Sequence, residues 1–433
     1  MSSPATEYAR PVRGSTRTVR RLPGAPVLVG VFVLVHVLLG LIGLVPGLVG
    51  PFGDPTPFGD VTGVYRFWID SWHQRGQLVG IDLPWVYPLL AIVPMLVASI
   101  AGDAAYPLLW VLLVTVLDAA ALVLLMRRDL RLAWWWVAFT ACLGPVAIGR
   151  IDAVALPVAI AGVLMLARRP TLAAVLLAIA TWIKVWPAAV LAAMLLAGRR
   201  VAAVITGVAL TSAAVIGVAV ALGAGRNVFS FVATQTGRGL QIEAPVTGLW
   251  LIDVVLGTPG ASIYYDRDIL TFQVTGEGVA ATSQAMTAVL AIGVLAVVGV
   301  ALVARLRGAP NEEVLALTAL GLVSAFIALN KVGSPQYLTW YAAPVLLGLA
   351  TTRRFRFPAV VVLVMAVLTQ VVYPWCYLLV IDAVPWAIGV LELRNLLELV
   401  LLAWTVGALL GAGGVARERP VPALSREADP VGS

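Results

Sequence analysis

Long apolar runs recur along this chain, separated by short turns, and they restrict the folds open to it more than any other feature. They lie at about 26–46, 86–101, 106–126, 132–148, 152–167, 171–183, 186–197, 201–222, 279–304, 313–329, 338–351, 357–373 and 386–411. A helix of roughly 20 such residues crosses the ~30 Å hydrocarbon core of a bilayer. Lipid offers the backbone no hydrogen-bond partners, so each run must satisfy its own N–H and C=O groups, which a helix does. The expected fold is therefore an all-α polytopic membrane protein with about 11–13 transmembrane helices among these segments. Composition agrees: 61% of the 433 residues are hydrophobic and only 12% are charged, about half the charged fraction usual in soluble domains.

Net charge is +7. The excess falls in clusters between runs: Arg127/Arg128/Arg131, Arg168/Arg169, Arg199/Arg200, Arg305/Arg307 and Arg353/Arg354/Arg356. Short basic turns are the positive-inside signal of membrane topology, so the basicity does not call for a nucleic-acid partner. Two cysteines, Cys142 and Cys376, lie in or beside apolar runs without a CxxC or disulfide pattern. Residues 1–25 form a basic tail, read as cytoplasmic, and the run behind it is too long for a signal-peptide core. The expected organisation is this tail, a membrane domain over 26–411 with outer loops 47–84 and 223–278, and a disordered cytoplasmic tail over 412–433. Two places resist simple counting. Two full spans within 86–126 would put Arg127, Arg128 and Arg131 on the wrong face, and 171–183 and 186–197 are each too short to cross.

With the arginine clusters inside, five polar segments face outside. The first follows the first span: the stretch 51–88 carries Asp54, Asp60, Asp70, Asp82, Arg66, His73 and Arg75, with Asp60 and Tyr65 in GDVTGVY and Tyr87 near its end. The others hold Arg150 and Asp152; Lys184; Arg238, Gln241 and Glu243; and Lys331, Gln336, Tyr337 and Trp340. A carboxylate at the membrane surface can take a proton from a hydroxyl. Arg and Lys there can hold a phosphate, and Trp and Tyr faces stack on sugar rings. Such a set suits a sugar leaving a lipid phosphate. No Gly-rich phosphate loop or DxD triplet marks a soluble nucleotide-sugar donor.

Plainer roles exist for each. Asp60 can be a solvated loop carboxylate, and Asp152 can complement a helix N-terminus. Lys184 interrupts an apolar run, where charge is costly and marks function. Arg238 and Glu243 can form a loop pair, and Lys331 can snorkel from a helix end. The Trp134–Trp135–Trp136 run beside a basic cluster reads as an interfacial anchor, and His36 as a structural mid-span residue. Apart from His36, Asp118 and Lys184, the ionisable groups read as lying at span ends. A transporter or flippase is the competing class; it leads one to look for internal repeats and more mid-span charge. A non-catalytic scaffold would need no such polar constellation.

These segments resemble glycosyltransferase family 87, the polyprenyl-phosphate-mannose-dependent mannosyltransferases of actinobacterial membranes. Asp60 in GDVTGVY matches the position of the catalytic Asp that the GT-C fold of that family places in the first extracytoplasmic loop, with Tyr87-Pro88 downstream. RGLQIEA (238–244), NKVGSPQYLTWY (330–341) and LTQVVYPWCY (368–377) are similar to further stretches of a related group. The chain departs from the pattern at Ala244, where Ser is common, in VATQTG, which lacks a His, and at Gly149-Arg150, where Gly-Gln is common. The resemblance implies transfer of a sugar, most naturally mannose, from a polyprenyl-phosphate donor to a glycolipid or glycan hydroxyl at the outer face of the plasma membrane, with inversion. Asp60 would be the base; neither a metal nor another cofactor is implied. It leaves the acceptor and the oligomeric state open.

Overall fold

The computed structural model describes residues 24–54, 56–198, 200–234 and 238–412. The two tails, Pro55, Arg199 and residues 235–237, including Gly237, lie outside the described residues.

The apolar runs become helices in chain order: α1 Ala25–Leu44, then a π-type turn Asp60–Tyr65 leading into α2 Arg66–Arg75, α3 Ile92–Ala98, α4 Tyr106–Arg128, α5 Leu130–Leu143, α6 Asp152–Met165, α7 Pro170–Ile183, α8 Ala188–Leu196 and α9 Val201–Ala221. After α10 Ser230–Ala233 and α11 Gly248–Val255 come two strands, β1 Ser262–Asp266 and β2 Thr271–Thr275. The chain ends with α12 Val279–Leu306, α13 Asn311–Ala328, α14 Ala342–Thr351, α15 Arg356–Gln370, α16 Tyr377–Ile381 and α17 Pro385–Ala412.

Among the described residues, eight helical segments are long and apolar enough to cross a membrane: α1, α4, α5 with its following turn, α9, α12, α13, α15 with its flanking turns, and α17. The architecture is a largely helical, multi-span membrane type consistent with a GT-C-type fold. The remaining apolar segments are short. α6 and α7 have 14 residues each, a rise of about 21 Å, and α8 has nine.

These short helices resolve both counting problems. Within 86–126 the helical segment Leu89–Ala98 falls short of a span and α4 alone is full length, so Arg127 and Arg128 sit one span away from the loop preceding it. Lys184 to Pro187 breaks α7 from α8; Pro187 lacks the N–H that helix continuation needs.

α13 lies at the centre and is buried on nearly every face, as expected for a helix apolar all round. Elsewhere, small residues let backbones approach. A Cβ on Gly207 of α9 would stand 2.7 Å from Ala174 Cβ and 2.8 Å from the Thr171 carbonyl of α7. The mid-span polar pair is satisfied internally: His36 Nε2 of α1 is 3.0 Å from Asp118 Oδ2 of α4, and His36 Nδ1 bonds the Phe32 carbonyl.

Sequence reading missed two features. The segment 223–278 contains an antiparallel hairpin, with Ser262 opposite Thr275 and Asp266 opposite Thr271. In addition, Glu392, Arg394 and Glu398 sit inside α17 rather than at its end, which corrects the expectation that the remaining ionisable groups lie at span ends.

Candidate functional site

Four carboxylates in the first long loop were candidates, and local hydrogen bonding separates them. Asp54 Oδ1 accepts from Thr56 N at 2.7 Å and Thr56 Oγ1 at 3.0 Å, closing a turn. Asp82 Oδ2 accepts from Leu78 N at 2.7 Å. Asp70 pairs with Arg66 one helical turn away at 3.6 Å. Asp54 also bonds the Tyr373 side chain, whereas Asp60 reaches across the fold to a cation. Its Oδ2 lies 3.3 Å from Arg150 Nε and accepts from Tyr65 OH at 3.4 Å. Among the described residues its Oδ1 has no hydrogen-bond donor, and the side chain is 31% exposed. One oxygen is anchored and the other is left without a donor among the described residues.

Arg150 turns four of its five N–H groups to protein partners. Nη1 donates to the Pro57 and Gly149 carbonyls at 3.0 and 3.1 Å, and Nη2 donates to Tyr373 OH at 2.9 Å. Burial opposes its charge, but Asp60, followed by the Tyr373 and Tyr65 hydroxyls, outweighs that and raises its pKa. The neighbouring Ile151 N donates to Tyr65 OH at 3.0 Å, so the 149–151 turn fixes both contacts of Asp60.

Two residues on, Asp152 opens α6 and is fully buried. Trp340 Nε1 donates to its Oδ1 at 2.6 Å, and Lys184 Nζ stands 3.7 Å from Oδ2. Lys184 Nζ also lies 4.5 Å from the centre of the Tyr87 ring, within cation–π range. Its place at the break between α7 and α8 delivers a charge from an apolar run into the same region.

The third group comes from two segments pinned to each other. Gln241 N donates to the Lys331 carbonyl at 3.1 Å. Gly333 packs so closely on 243–244 that a Cβ there would stand 2.3 Å from the Glu243 and Ala244 backbone. Glu243 is buried with Arg394 of α17: Arg394 Nη2 donates to the Glu243 carbonyl at 2.9 Å, and Nη1 is 3.7 Å from Oε2. Arg394 Nε is in turn 3.7 Å from Glu398 Oε1. Arg238 Nε is buried and has no hydrogen-bond partner among the described residues.

Electrostatics tie the groups together. Burial pushes Tyr337 up to about 12, with Arg238 lowering it and Asp152 and Glu243 raising it. Burial raises Glu243 to about 7 against the pull of Arg394 and Arg150. Burial also lowers the Lys331 ammonium. Asp60, Arg150, Asp152, Lys184, Arg238, Glu243 and Tyr337 thus share one polar region that can hold an anion beside a carboxylate. Among the described residues, no three His, Cys, Asp or Glu side chains are arranged to hold a metal ion.

The model of glycosyltransferase family 87 matches residues 85–329, more than half of the chain. The chain belongs to glycosyltransferase family 87. No curated protein and no solved structure matches it. Sugar transfer is thereby its general activity. In this family-87 chain the matched stretch contains Tyr87, Arg150, Asp152, Lys184, Arg238, Gln241 and Glu243, while Asp60 and the 330–341 segment lie outside it.

The structure brings together most of the residues singled out from sequence. Asp60, Tyr65, Tyr87, Arg150, Asp152, Lys184 and Trp340 are linked by direct contacts. Tyr337 stacks on Trp340 with ring centres 4.1 Å apart. Gln241, Glu243 and Lys331 join through the pinned segments, and Gln336 is buried at the start of the 3-10 turn Pro335–Tyr341. Arg66 and His73 are placed elsewhere. Arg66 pairs with Asp70 and, at 3.0 Å, with Asp103, and His73 is exposed at the end of α2 beside Trp72.

Sequence reading missed Tyr373 and the Arg394–Glu398 pair. Tyr373 lay within the familiar 368–377 stretch but carried no individual signal. The Glu-x-Arg-x-x-x-Glu spacing inside an apolar run was a usable signal, because intramembrane charge is costly unless paired or functional.

Proposed function

We propose that this family-87 chain transfers a hexose, most naturally mannose, from a polyprenyl-phosphate donor to a hydroxyl of a lipid-linked or cell-envelope glycan. The transfer takes place at the outer face of the plasma membrane, and Asp60 is the catalytic base. The observation that supports the reading is the part-exposed Asp60 carboxylate, with Oδ2 held by Arg150 and Tyr65 and Oδ1 without a donor among the described residues.

In the proposed step the acceptor O–H gives its proton to Asp60 Oδ1 as its oxygen bonds to the anomeric carbon. The bond from that carbon to the donor phosphate oxygen breaks, and polyprenyl phosphate leaves carrying the electron pair. A phosphate leaves already ionised, so the step needs no strong acid. It needs cations placed where charge builds. Lys184, Arg238 and Lys331 are candidates for this role, with Arg238 Nε buried and unengaged among the described residues, while Arg150 has four of its five N–H groups turned to protein partners. Tyr87, Tyr337 and Trp340 supply ring faces for the sugar. Attack by a base-activated hydroxyl in a single displacement inverts the anomeric centre, so a β-linked donor gives an α-linked product.

The test is Asp60→Asn, assayed with radiolabelled polyprenyl-phosphate-mannose and native membrane lipid as acceptor. Transfer should fall by 10²-fold or more, within the range of general-base contributions, while the protein stays folded and inserted. Near-normal transfer by the variant would sink the assignment of the base.

A further inference from the structure

The helices that carry the site at one end carry a different feature at the other. α4 begins near Asp103, which pairs with Arg66, and ends in Arg127 and Arg128. Its 23 residues rise about 34 Å, so these arginines lie roughly a bilayer's thickness from Asp60. α6 likewise runs from Asp152 to the turn that holds Arg168 and Arg169.

Between these ends lies a cavity of about 760 Å³. Arg127, Arg128, Arg168, Arg169 and Arg200 line it, with Glu312 the single carboxylate among the described lining residues. Arg127, Arg128, Arg168 and Arg169 are all exposed, and among the described residues none has a carboxylate within salt-bridge distance. The cavity wall is apolar, formed by Val163, Met194, Leu315, Leu347 and Ala350 from four helices.

Arginines that serve only membrane topology need no cavity; any surface turn would suffice. Here they border a recess between helices whose wall suits an acyl chain. A guanidinium cluster binds phosphate oxygens through paired N–H donors, and basic recesses between membrane helices take anionic headgroups. A soluble phosphate compound would use the rim and leave the apolar wall wet.

We propose that this recess binds an anionic phospholipid, its phosphate among Arg127, Arg128, Arg168 and Arg169 and one acyl chain against Leu315 and Leu347. The site is separate from the sugar-transfer region and does not depend on the proposed reaction.

The experiment uses the full chain, stripped of lipid and returned to nanodiscs or detergent. Native mass spectrometry would compare retained phosphatidylglycerol with retained phosphatidylcholine, with excess inorganic phosphate as the soluble arm. Phosphatidylglycerol should be retained over phosphatidylcholine by about tenfold, and Arg168→Gln/Arg169→Gln should remove most of that preference. Loss of arginines can disturb insertion, so Ala350→Trp is the second variant. It keeps every charge and fills the wall, and it should lower phosphatidylglycerol retention while headgroup preference persists in what remains. Equal retention of the two lipids by the wild type, or unchanged retention in both variants, would overturn the proposal. So would complete displacement of the lipid by inorganic phosphate, which would mark a soluble ligand.

Discussion

Arg150→Gln probes how Asp60 is held. In the native protein the guanidinium makes three hydrogen bonds, to the Pro57 and Gly149 carbonyls and to Tyr373 OH, and one ion pair to Asp60. A hydrogen bond to a charged group contributes about 1.5–3 kcal/mol. A glutamine can remake one of the three, so two are lost, on the order of 3–6 kcal/mol gross. The pair with a carboxylate that is 31% exposed adds no more than about 1 kcal/mol. Relief from burying the arginine charge offsets part of the loss, leaving a net destabilisation of about 2–3 kcal/mol. The kinetic effect should exceed the structural one. Without Arg150, Asp60 keeps only the Tyr65 contact, and misplacement by about 1 Å can cost 10²-fold in rate. Arg150 spends four of its five N–H groups on protein partners, among them Asp60, so this loss should appear chiefly in kcat, with KM for the lipid-linked donor changed little. Arg150→Lys should recover part of the rate, because it restores the charge but not the fork. The assay is a donor titration with each variant at saturating acceptor, alongside thermal unfolding. A large rise in donor KM with kcat preserved would refute the reasoning and put the phosphate on Arg150.

Glu243 gives a pH prediction. Its folded pKa is raised by burial from 4.5 to about 7, so between those values the folded protein binds more protons than the unfolded chain. The stabilisation from its retained proton is full below about 4.5 and is lost as pH rises to about 7. Thermal unfolding followed across this window should therefore fall with pH in the wild type and run flatter in Glu243→Gln; parallel curves would contradict the assignment. His36→Leu or Asp118→Leu alone should destabilise by about 3 kcal/mol, because each strands a buried partner, whereas the double variant should recover most of that. A double mutant as unstable as either single would show that more than the pair is at stake. Gly333→Ala should lower both stability and transfer, since its Cβ would stand 2.3 Å from the Glu243 and Ala244 backbone, and such overpacking costs about 1–3 kcal/mol. Unaltered unfolding and activity would mean that the two segments are not pinned as described.

The helical membrane fold was legible because hydrophobic run length is a physical requirement of the bilayer. Half-length helices were harder, since a run such as 86–101 is apolar whether it crosses the membrane or stops within it. The hairpin Ser262–Thr275 was hidden because its residues are mostly part-exposed and show no clean alternation of buried and exposed positions. Asp60 could be picked out of its loop only through resemblance, because from composition Asp54, Asp70 and Asp82 were its equals. Their difference lies in the partner: Asp70 and Asp82 bond groups nearby in sequence, Asp54 closes a local turn and bonds the Tyr373 hydroxyl, and Asp60 meets a guanidinium 90 residues away. Arg150 was read as one of several phosphate-holding cations. Its four contacts add a role in holding Asp60, which spacing in the sequence does not show. Glu243 reads from sequence as a substrate-binding candidate or, more plainly, as a loop pair with Arg238; in the fold its direct partner is Arg394, brought from α17.

The polar region owes its location to where the helices stop. Backbone groups released by a helix break cannot be left in hydrocarbon, so such breaks persist only against protein or water. Four breaks meet here: before Asp60, at 149–151, at 184–187 and at 330–334. Their freed groups bond across the meeting point: Ile151 N to Tyr65 OH, Gln241 N to the Lys331 carbonyl, and Arg150 to the Pro57 and Gly149 carbonyls. Charges inside regular helix need a paired side chain, as Arg394 has in Glu398, whereas here Lys184 and Asp152 are brought together by two breaks. Restoring regular helix at one of them should therefore affect charges donated by the others. Substituting Pro187 by Ala would let α7 run into α8, carry Lys184 away from Asp152, and leave the fully buried Asp152 carboxylate held by Trp340 alone. Loss of transfer with retained membrane insertion is the expected result. Full activity would show that Lys184 and Asp152 need not meet.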